Sequence, residues 1–298
     1  MAGENMNNAE LIVDMLNKAG VKWVFGVPSG PVLPLIEALR ENDKIEFVLT
    51  ASETSAAFMA EAAGRLGDAP GACVSTLGPG ATNLATGVGG AFLDRSPMIA
   101  ITCNYHSSWL DRRTQMLIDH LTLFAPLTKG SHRLQHHNVA EVLGKAINHA
   151  LEEPPGPVHL DLPEDVATSP AQNANSPIKF ENKQPLAVEG IGEHVLTALK
   201  TSKKPLIVTG LTFTRCSTPL NILKFIEGQN IPFVTTLHAK GFLPESHPNS
   251  LGVMGRARAN DIQKMISQAD LILGIGFDPV EINYEEWISD TRLIHLSS

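Results

Sequence analysis

Short runs of β-branched and aliphatic residues alternate with amphipathic helical stretches along the whole chain, and this alternation is the pattern of a parallel sheet covered by helices. Asn8 is placed to cap a helix whose apolar positions Leu11, Ile12, Met15, Leu16 and Ala19 share one face, and Gly20 is placed to end it. Val21 to Val27 then reads as a strand. A turn at Pro28-Ser29-Gly30 leads into a helix through Leu33, Leu35, Ile36 and Leu39, followed by a strand from Ile45 to Thr50. The pattern continues with a helix over Ala56 to Leu66, strands at Ala72 to Thr76, Met98 to Cys103 and Val158 to Leu162, and helices at Ala81 to Leu93 and Val139 to Leu151. The longest irregular stretch is Tyr105 to His132.

Thr168 to Leu186 carries three prolines in a polar, aperiodic stretch and reads as an interdomain linker. Beyond it the alternation restarts, with helices at Ile191 to Leu199, Leu220 to Glu227 and Ala259 to Ser267 and strands at Pro205 to Thr209, Pro232 to Thr236 and Leu271 to Ile275. The expected organisation is two consecutive α/β domains, each a parallel sheet covered by helices: residues 1–167, a linker over 168–186, and residues 187–298. Two domains also suit 298 residues at roughly 150 per domain. Arg292 to Ser298 reads as a buried strand with no covering helix after it, so the second domain is expected to be incomplete.

Charge and composition exclude several functional classes. Lys and Arg number 23 against 31 Asp and Glu, with no long run of either sign, so no basic stripe is available for nucleic acid. Cys73, Cys103 and Cys216 show no metal-type or redox-type spacing and read as buried thiols of a reducing cytoplasm. No secretion signal opens the chain and no apolar run reaches about 18 residues, so neither export nor a membrane is expected.

Two stretches carry candidate chemistry. Thr50 to Ala60 places Glu53 at the carboxyl end of a strand among small and apolar neighbours, where partial desolvation raises a carboxyl pKa and favours the neutral, donating form. The plainer alternative is a first-turn acid on a helix capped by Ser52. The second stretch, Ser75 to Asn83, is a strand, a Gly78-Pro79-Gly80 turn and a helix start, which brings backbone amides close to a ligand. It lacks the Lys-Ser/Thr ending of a Walker loop, and Gly274-Ile275-Gly276 lacks the third glycine of a dinucleotide fingerprint. His132, His136 and His137 have no acid or cysteine at ligand spacing, so no metal is expected there. Asp161 and Glu164, in Asp-Leu-Pro-Glu-Asp, read as a capped turn.

The succession FGVPSGPVLPLIEAL, Glu53 with a small-residue helix ending AEAAGR, GPGATNLATGVGGAFLDRSPMIAIT and PGPVHLDLPEDV resembles the thiamine-diphosphate enzymes related to acetolactate synthase. The resemblance spans the chain and implies a pyrimidine-binding domain followed by part of a central domain. It makes Glu53 the catalytic acid that hydrogen-bonds a pyrimidine ring nitrogen, promoting loss of the thiazolium proton before attack on a 2-keto acid such as pyruvate. Pro28, Ser29, Gly30, Thr76, Gly78, Gly80 and Asn83 are implied to line the thiamine-diphosphate pocket, and Gln115 to face the substrate. Mg²⁺ and the diphosphate would be held by a third domain that starts with Gly-Asp-Gly, and no Gly-Asp-Gly occurs in these residues. The chain alone is therefore expected to be inactive.

Departures from the family pattern carry information too. Ser52-Glu53-Thr54 stands where the family tends to have His-Glu-Gln, which opens the question of substrate. Ala125 stands where a flavin-contacting arginine precedes the Thr-Lys pair, which argues against FAD. Arg256 and Arg258 are offered to a nucleotide phosphate, or else are solvated residues at a helix start. The expected partners are a 2-keto acid and either a second copy, as a homodimer or tetramer, or a separate chain carrying the third domain. An apolar face near Glu53, Phe58 and Met59 would serve that contact. The alternative is a non-catalytic fragment or partner-dependent binding subunit.

Overall fold

The computed structural model describes residues 6–172, 190–216, 219–255, 259–278, 281 and 291–296. The chain divides into two compact units, residues 1–183 and 184–298. In the first, β1 (Trp23–Gly26), β2 (Glu46–Leu49), β3 (Gly71–Ser75), β4 (Met98–Asn104), β5 (Gly130–Arg133) and β6 (Pro157–Pro163) form one sheet in the order β2-β1-β3-β4-β6-β5. All five pairings are parallel. Every residue of β3, β4 and β6 is buried, which is why these segments read as nearly continuous apolar runs.

Seven α-helices are described in this unit: α1 (Asn8–Lys18), α2 (Leu33–Glu41), α3 (Glu53–Leu66), α4 (Pro79–Leu93), α5 (His120–Phe124), α6 (Val139–Leu151) and α7 (Glu164–Thr168). α1, α2 and α6 bury Leu11, Ile12, Leu35, Leu39, Leu143 and Ile147 against one face of the sheet. α3 and α4 cover the other face with Ala56, Ala57, Ala60, Leu84 and Val88, joined by Phe124 of α5. Small residues let α3 sit unusually close to its neighbours. A Cβ on Gly87 would lie 2.6 Å from Ala57 Cβ, and one on Gly71 only 1.8 Å from the Ala60 carbonyl oxygen. This close approach sets the first turns of α3 and α4 side by side at the carboxyl edge of the sheet.

Several local readings shift. Asn7, not Asn8, caps α1: its side chain accepts from the Glu10 amide while Glu10 answers in a capping box. Asn8 is instead buried, its Nδ2 donating to the Val166 carbonyl at 3.0 Å. α3 starts at Glu53 and α4 at Pro79, earlier than apolar periodicity suggests, because their first turns are polar or glycine-rich. The irregular stretch holds α5 and the start of β5, whose Gly-Ser-His-Arg sequence at a sheet edge carries no apolar alternation. At the expected linker, Thr168 closes α7, Pro170 bridges Asn7 and the Ala171 amide donates to Met6, so the chain stays bound to this unit through residue 171.

The second unit contains β7 (Pro205–Thr209), β8 (Phe233–Thr235), β9 (Ser250–Val253), β10 (Leu271–Ile275) and β11 (Arg292–Leu296) in the parallel order β11-β10-β7-β8-β9. With them run α8 (Ile191–Thr201), α9 (Pro219–Gln229) and α10 (Ala259–Ile266). β9 has no counterpart in the sequence reading: Ser-Leu-Gly-Val is half-buried, includes Gly252 at φ 103°, and its pairing to β8 slips register. Cys73 and Cys103 are buried free thiols, and burial pushes both thiol pKa values up, while Cys216 is half-buried.

Candidate active site

The sheet of the first unit reverses its strand order between β1 and β3, and ligands of open α/β sheets bind at the carboxyl ends flanking such a reversal. After β2 the Thr50 amide donates to the Gly26 carbonyl at 3.0 Å, and its hydroxyl donates to the Ser52 carbonyl at 2.9 Å. These bonds turn the chain so that Ser52 lies extended and caps α3, its Oγ accepting from the Ser55 amide at 3.2 Å. Glu53 thereby becomes the first residue of α3, half-buried at the edge.

Its carboxylate is aimed at α4. Asn83 Nδ2 donates to Glu53 Oε2 at 3.1 Å, and the Thr54 hydroxyl donates to the Asn83 carbonyl at 2.8 Å. A Cβ on Gly80 would lie 3.2 Å from Glu53 Oε1 and 2.7 Å from Thr76 Cγ2, so the glycine leaves a cradle beside the acid. Ser75 Oγ and Thr76 Oγ1 are buried and, among the described residues, have no hydrogen-bond partner. A buried hydroxyl without a partner costs about 1–3 kcal/mol, and a polar ligand would relieve it. Glu53, Thr76, Gly80 and Asn83 are thus brought together.

Gly78 has φ 60°, and a Cβ there would meet the Met116 carbonyl oxygen at 2.3 Å, so the loop after β4 lies over the glycine turn. Gln115, exposed and next to Met116, belongs to that loop. Pro28, Ser29 and Gly30 follow β1 at the same edge, with Ser29 half-buried and its neighbours exposed. The hydrogen bonds of Glu53 run to α4 and not to this turn. Arg256 and Arg258 lie outside the described residues. At the reversal of the second sheet, Glu281 accepts the amides of Leu211 at 2.7 Å and Asp278 at 2.9 Å, two donors of the kind a phosphate would use.

Asp161 is not in a turn. β6 continues through Pro163, because β4 extends to Asn104 and pairs it with Pro163, and this puts Asp161 inside a strand with its side chain fully buried. Its Oδ1 accepts from Asn104 Nδ2 and His120 Nδ1, each at 3.0 Å, and its Oδ2 accepts from Arg133 Nε at 2.7 Å. Burial works against its charge, but the hydrogen bonds from His120, Arg133 and Asn104 outweigh it and hold the carboxyl below its ordinary range. Thr102 Oγ1 links His120 Nδ1 at 2.9 Å to His159 Nε2 at 2.8 Å, and His159 Nδ1 meets Ser131 Oγ at 2.8 Å. Burial pushes His159 down to about 3, so it is neutral, stacked on Phe124 with centroids 4.1 Å apart. Glu164 is exposed at the start of α7, as a capped turn requires.

Acid should therefore weaken the first unit. His159 takes up its proton at 6.5 when unfolded but only near 3 when folded, so the unfolded state binds more protons between these values and stability falls as pH drops through that window. Asp161, whose folded value is depressed, adds a loss below its ordinary 3.8. The unfolding free energy of the first unit, from urea titrations at pH values from about 7 to about 4, should decline by up to ~1.4 kcal/mol per pH unit for one proton. A flat profile would contradict the buried neutral imidazole.

His132, His136 and His137 are all exposed; His136 joins Asp165 and Ser169, each at 3.0 Å. Among the described residues no three His, Cys, Asp or Glu side chains are grouped to hold a metal, and no helix is long and apolar enough to cross a membrane.

Comparison with known families adds the decisive observation. Residues 6–123 match the thiamine pyrophosphate enzyme N-terminal TPP binding domain, and residues 193–298 match the thiamine pyrophosphate enzyme central domain. The chain belongs to the thiamine pyrophosphate enzymes. Curated relatives of this family member include the probable acetolactate synthase large subunit of Methanocaldococcus jannaschii, 33% identical over 98% of the chain and 51% of the relative. The acetolactate synthase isozyme 1 large subunit of Escherichia coli is 30% identical over 98% of the chain and 53% of its own length. Acetolactate synthase of Bacillus subtilis is 32% identical, over 97% and 51%. The chain spans about half the length of the curated relatives it matches.

Within the first unit, Met116 and the network of Thr102, Asn104, His120, Arg133 and His159 escaped the sequence reading. One signal was available. His159 and Asp161 alternate with Leu160 and Leu162, which puts two polar groups on one face of a strand flanked by apolar residues.

Proposed function

We propose that the chain is the pyrimidine-binding and central part of a thiamine-diphosphate-dependent, acetolactate synthase-like enzyme acting on pyruvate or a similar 2-keto acid. The carrying observation is the Glu53 carboxylate, held by Asn83 beside the Gly80 cradle and the unpartnered Thr76 hydroxyl. These residues fit an aminopyrimidine ring: an acid for a ring nitrogen, a hydroxyl for a polar edge, and glycine backbone for close approach. Thiamine diphosphate, when bound, supplies the carbon nucleophile and electron sink. Glu53 holds a proton at the ring nitrogen, and Asn83 and Thr54 keep it pointed there. Gly78 and Gly80 admit the ring, Pro28, Ser29 and Gly30 line the adjacent rim, and Gln115 faces the 2-keto acid.

Mg²⁺ and the diphosphate are assigned to a further domain, in the same polypeptide or a separate chain, of a cytoplasmic homodimer or tetramer. Exposed Phe58 and Met59, on α3 beside Glu53, suit an apolar contact of that kind. With no flavin-contact arginine at Ala125, FAD is not assigned. The test is pyruvate consumption by these 298 residues with thiamine diphosphate and Mg²⁺, alongside sedimentation at rising concentration. No turnover is expected from the chain alone, together with a mass that grows with concentration. Turnover by the isolated chain would overturn the assignment of the diphosphate site to another domain.

A further inference from the structure

His120 opens α5 beneath a cap from Asp119 and is completely buried, although it lies in a stretch without apolar periodicity. Its two ring nitrogens face different groups. Nδ1 lies 3.0 Å from Asp161 Oδ1, and Nε2 lies 3.4 Å from the backbone nitrogen of Gly78. A carboxylate only accepts and an amide only donates, so the pair of contacts demands one tautomer, with the proton on Nδ1 and a bare Nε2. The neighbouring bonds can follow from this: the Thr102 hydroxyl shares the Nδ1 proton with Asp161 and donates to His159 Nε2, His159 Nδ1 donates to Ser131, and Asn104 Nδ2, 3.3 Å from Nδ1, gives its hydrogen to Asp161 Oδ1 instead.

Gly78 needs such support. At φ 60° and ψ −116° it occupies backbone space that side-chain-bearing residues avoid, and Pro79 after it has no amide to donate. The turn is held between the His120 ring and the Met116 carbonyl, and two residues later Gly80 meets Glu53.

We propose that His120 is a positioning residue for this site: through its bare Nε2 it holds the Gly78 amide, and so sets the glycine turn against Glu53. This rests on the reading of the Glu53 cluster as the thiamine ring pocket. Asp161 acts one step further back, by keeping the proton on Nδ1.

The test separates the two nitrogens. His120→Gln offers its amide oxygen near the place of Nε2, whereas His120→Asn keeps a donor for Asp161 and leaves Gly78 without an acceptor. Amide hydrogen exchange of Gly78 in the 298-residue chain, referenced to Val74 and Ile101 in β3 and β4, should accelerate at least about 10-fold in the Asn variant and stay within about 3-fold in the Gln variant. In the complete protein at saturating thiamine diphosphate, exchange of the thiazolium proton should slow in the Asn variant and recover in the Gln variant. Equal Gly78 protection in both variants would overturn the proposal. Should neither variant fold, the nitrogen-15 shifts of His120 in the parent chain decide: an unprotonated Nε2 is expected at neutral pH, and a protonated one overturns it. If Glu53→Gln leaves thiazolium exchange untouched, the pocket reading fails whatever Gly78 does, so the two failures are distinguishable.

Discussion

Glu53→Gln in the complete protein is expected to slow turnover at least ~100-fold while thiamine diphosphate still binds, the lower end for a positioned acid or base. The substitution is nearly isosteric, and a Gln carbonyl in place of Oε2 still accepts from Asn83 Nδ2, whose present distance is 3.1 Å. The Ser52 cap and the Thr54 to Asn83 bond do not involve the carboxylate, so the first turn of α3 is preserved. What disappears is the titratable proton at the ring nitrogen. Hydrogen–deuterium exchange at the thiazolium carbon reads the affected step directly. Exchange at the parent rate, with cofactor bound, would reduce Glu53 to a first-turn acid that merely suits the helix dipole.

The second large effect falls on stability. Asp161→Asn is expected to lower the unfolding free energy of the first unit by about 3 kcal/mol, the lower end for breaking a buried ion pair. The asparagine replaces one acceptor oxygen with a donor in a site already facing three donors, from Asn104, His120 and Arg133. Arg133 is one-third exposed, so water recovers part of the loss at the guanidinium, whereas nothing compensates at the fully buried His120. Glu164→Gln, at an exposed helix start, should stay within about ±0.5 kcal/mol. Urea midpoints of the two variants check the contrast. Equal small shifts would mean that Asp161 is as inconsequential as a turn residue.

The features legible in the sequence are those whose physics is local. Ser52 before Glu53 caps a helix because a hydroxyl and an amide three residues apart meet whatever surrounds them. The Gly78-Pro79-Gly80 turn is readable because proline cannot continue the strand and glycine alone takes the backbone angles at Gly78. The central strands are readable because burial on both faces favours apolar residues, as in Met98 to Ile101. The order of these motifs along the chain also carried the family resemblance that the domain matches then established.

The rest depended on partners distant in the chain. Pro163 reads as the end of the strand and the start of a turn because proline usually ends a strand, yet pairing with Asn104 carries β6 through it. The edge strands Gly130–Arg133 and Ser250–Val253 escape notice because they are short and incompletely buried, so their residues need not alternate. Periodicity says which face a side chain takes but not which side chain stands opposite. His120 and Asp161 are 41 positions apart, and His120 and Gly78 are 42 apart. Their meeting required β4 to lie between β3 and β6, with α5 returning over the sheet. An acid and a glycine turn at the carboxyl edge were legible from the residues alone, because backbone and nearest-neighbour forces settle both. That a buried histidine holds the turn could not be read from neighbours in the chain, because strand order and register are what bring Gly78, Thr102, Asn104 and Asp161 to its ring.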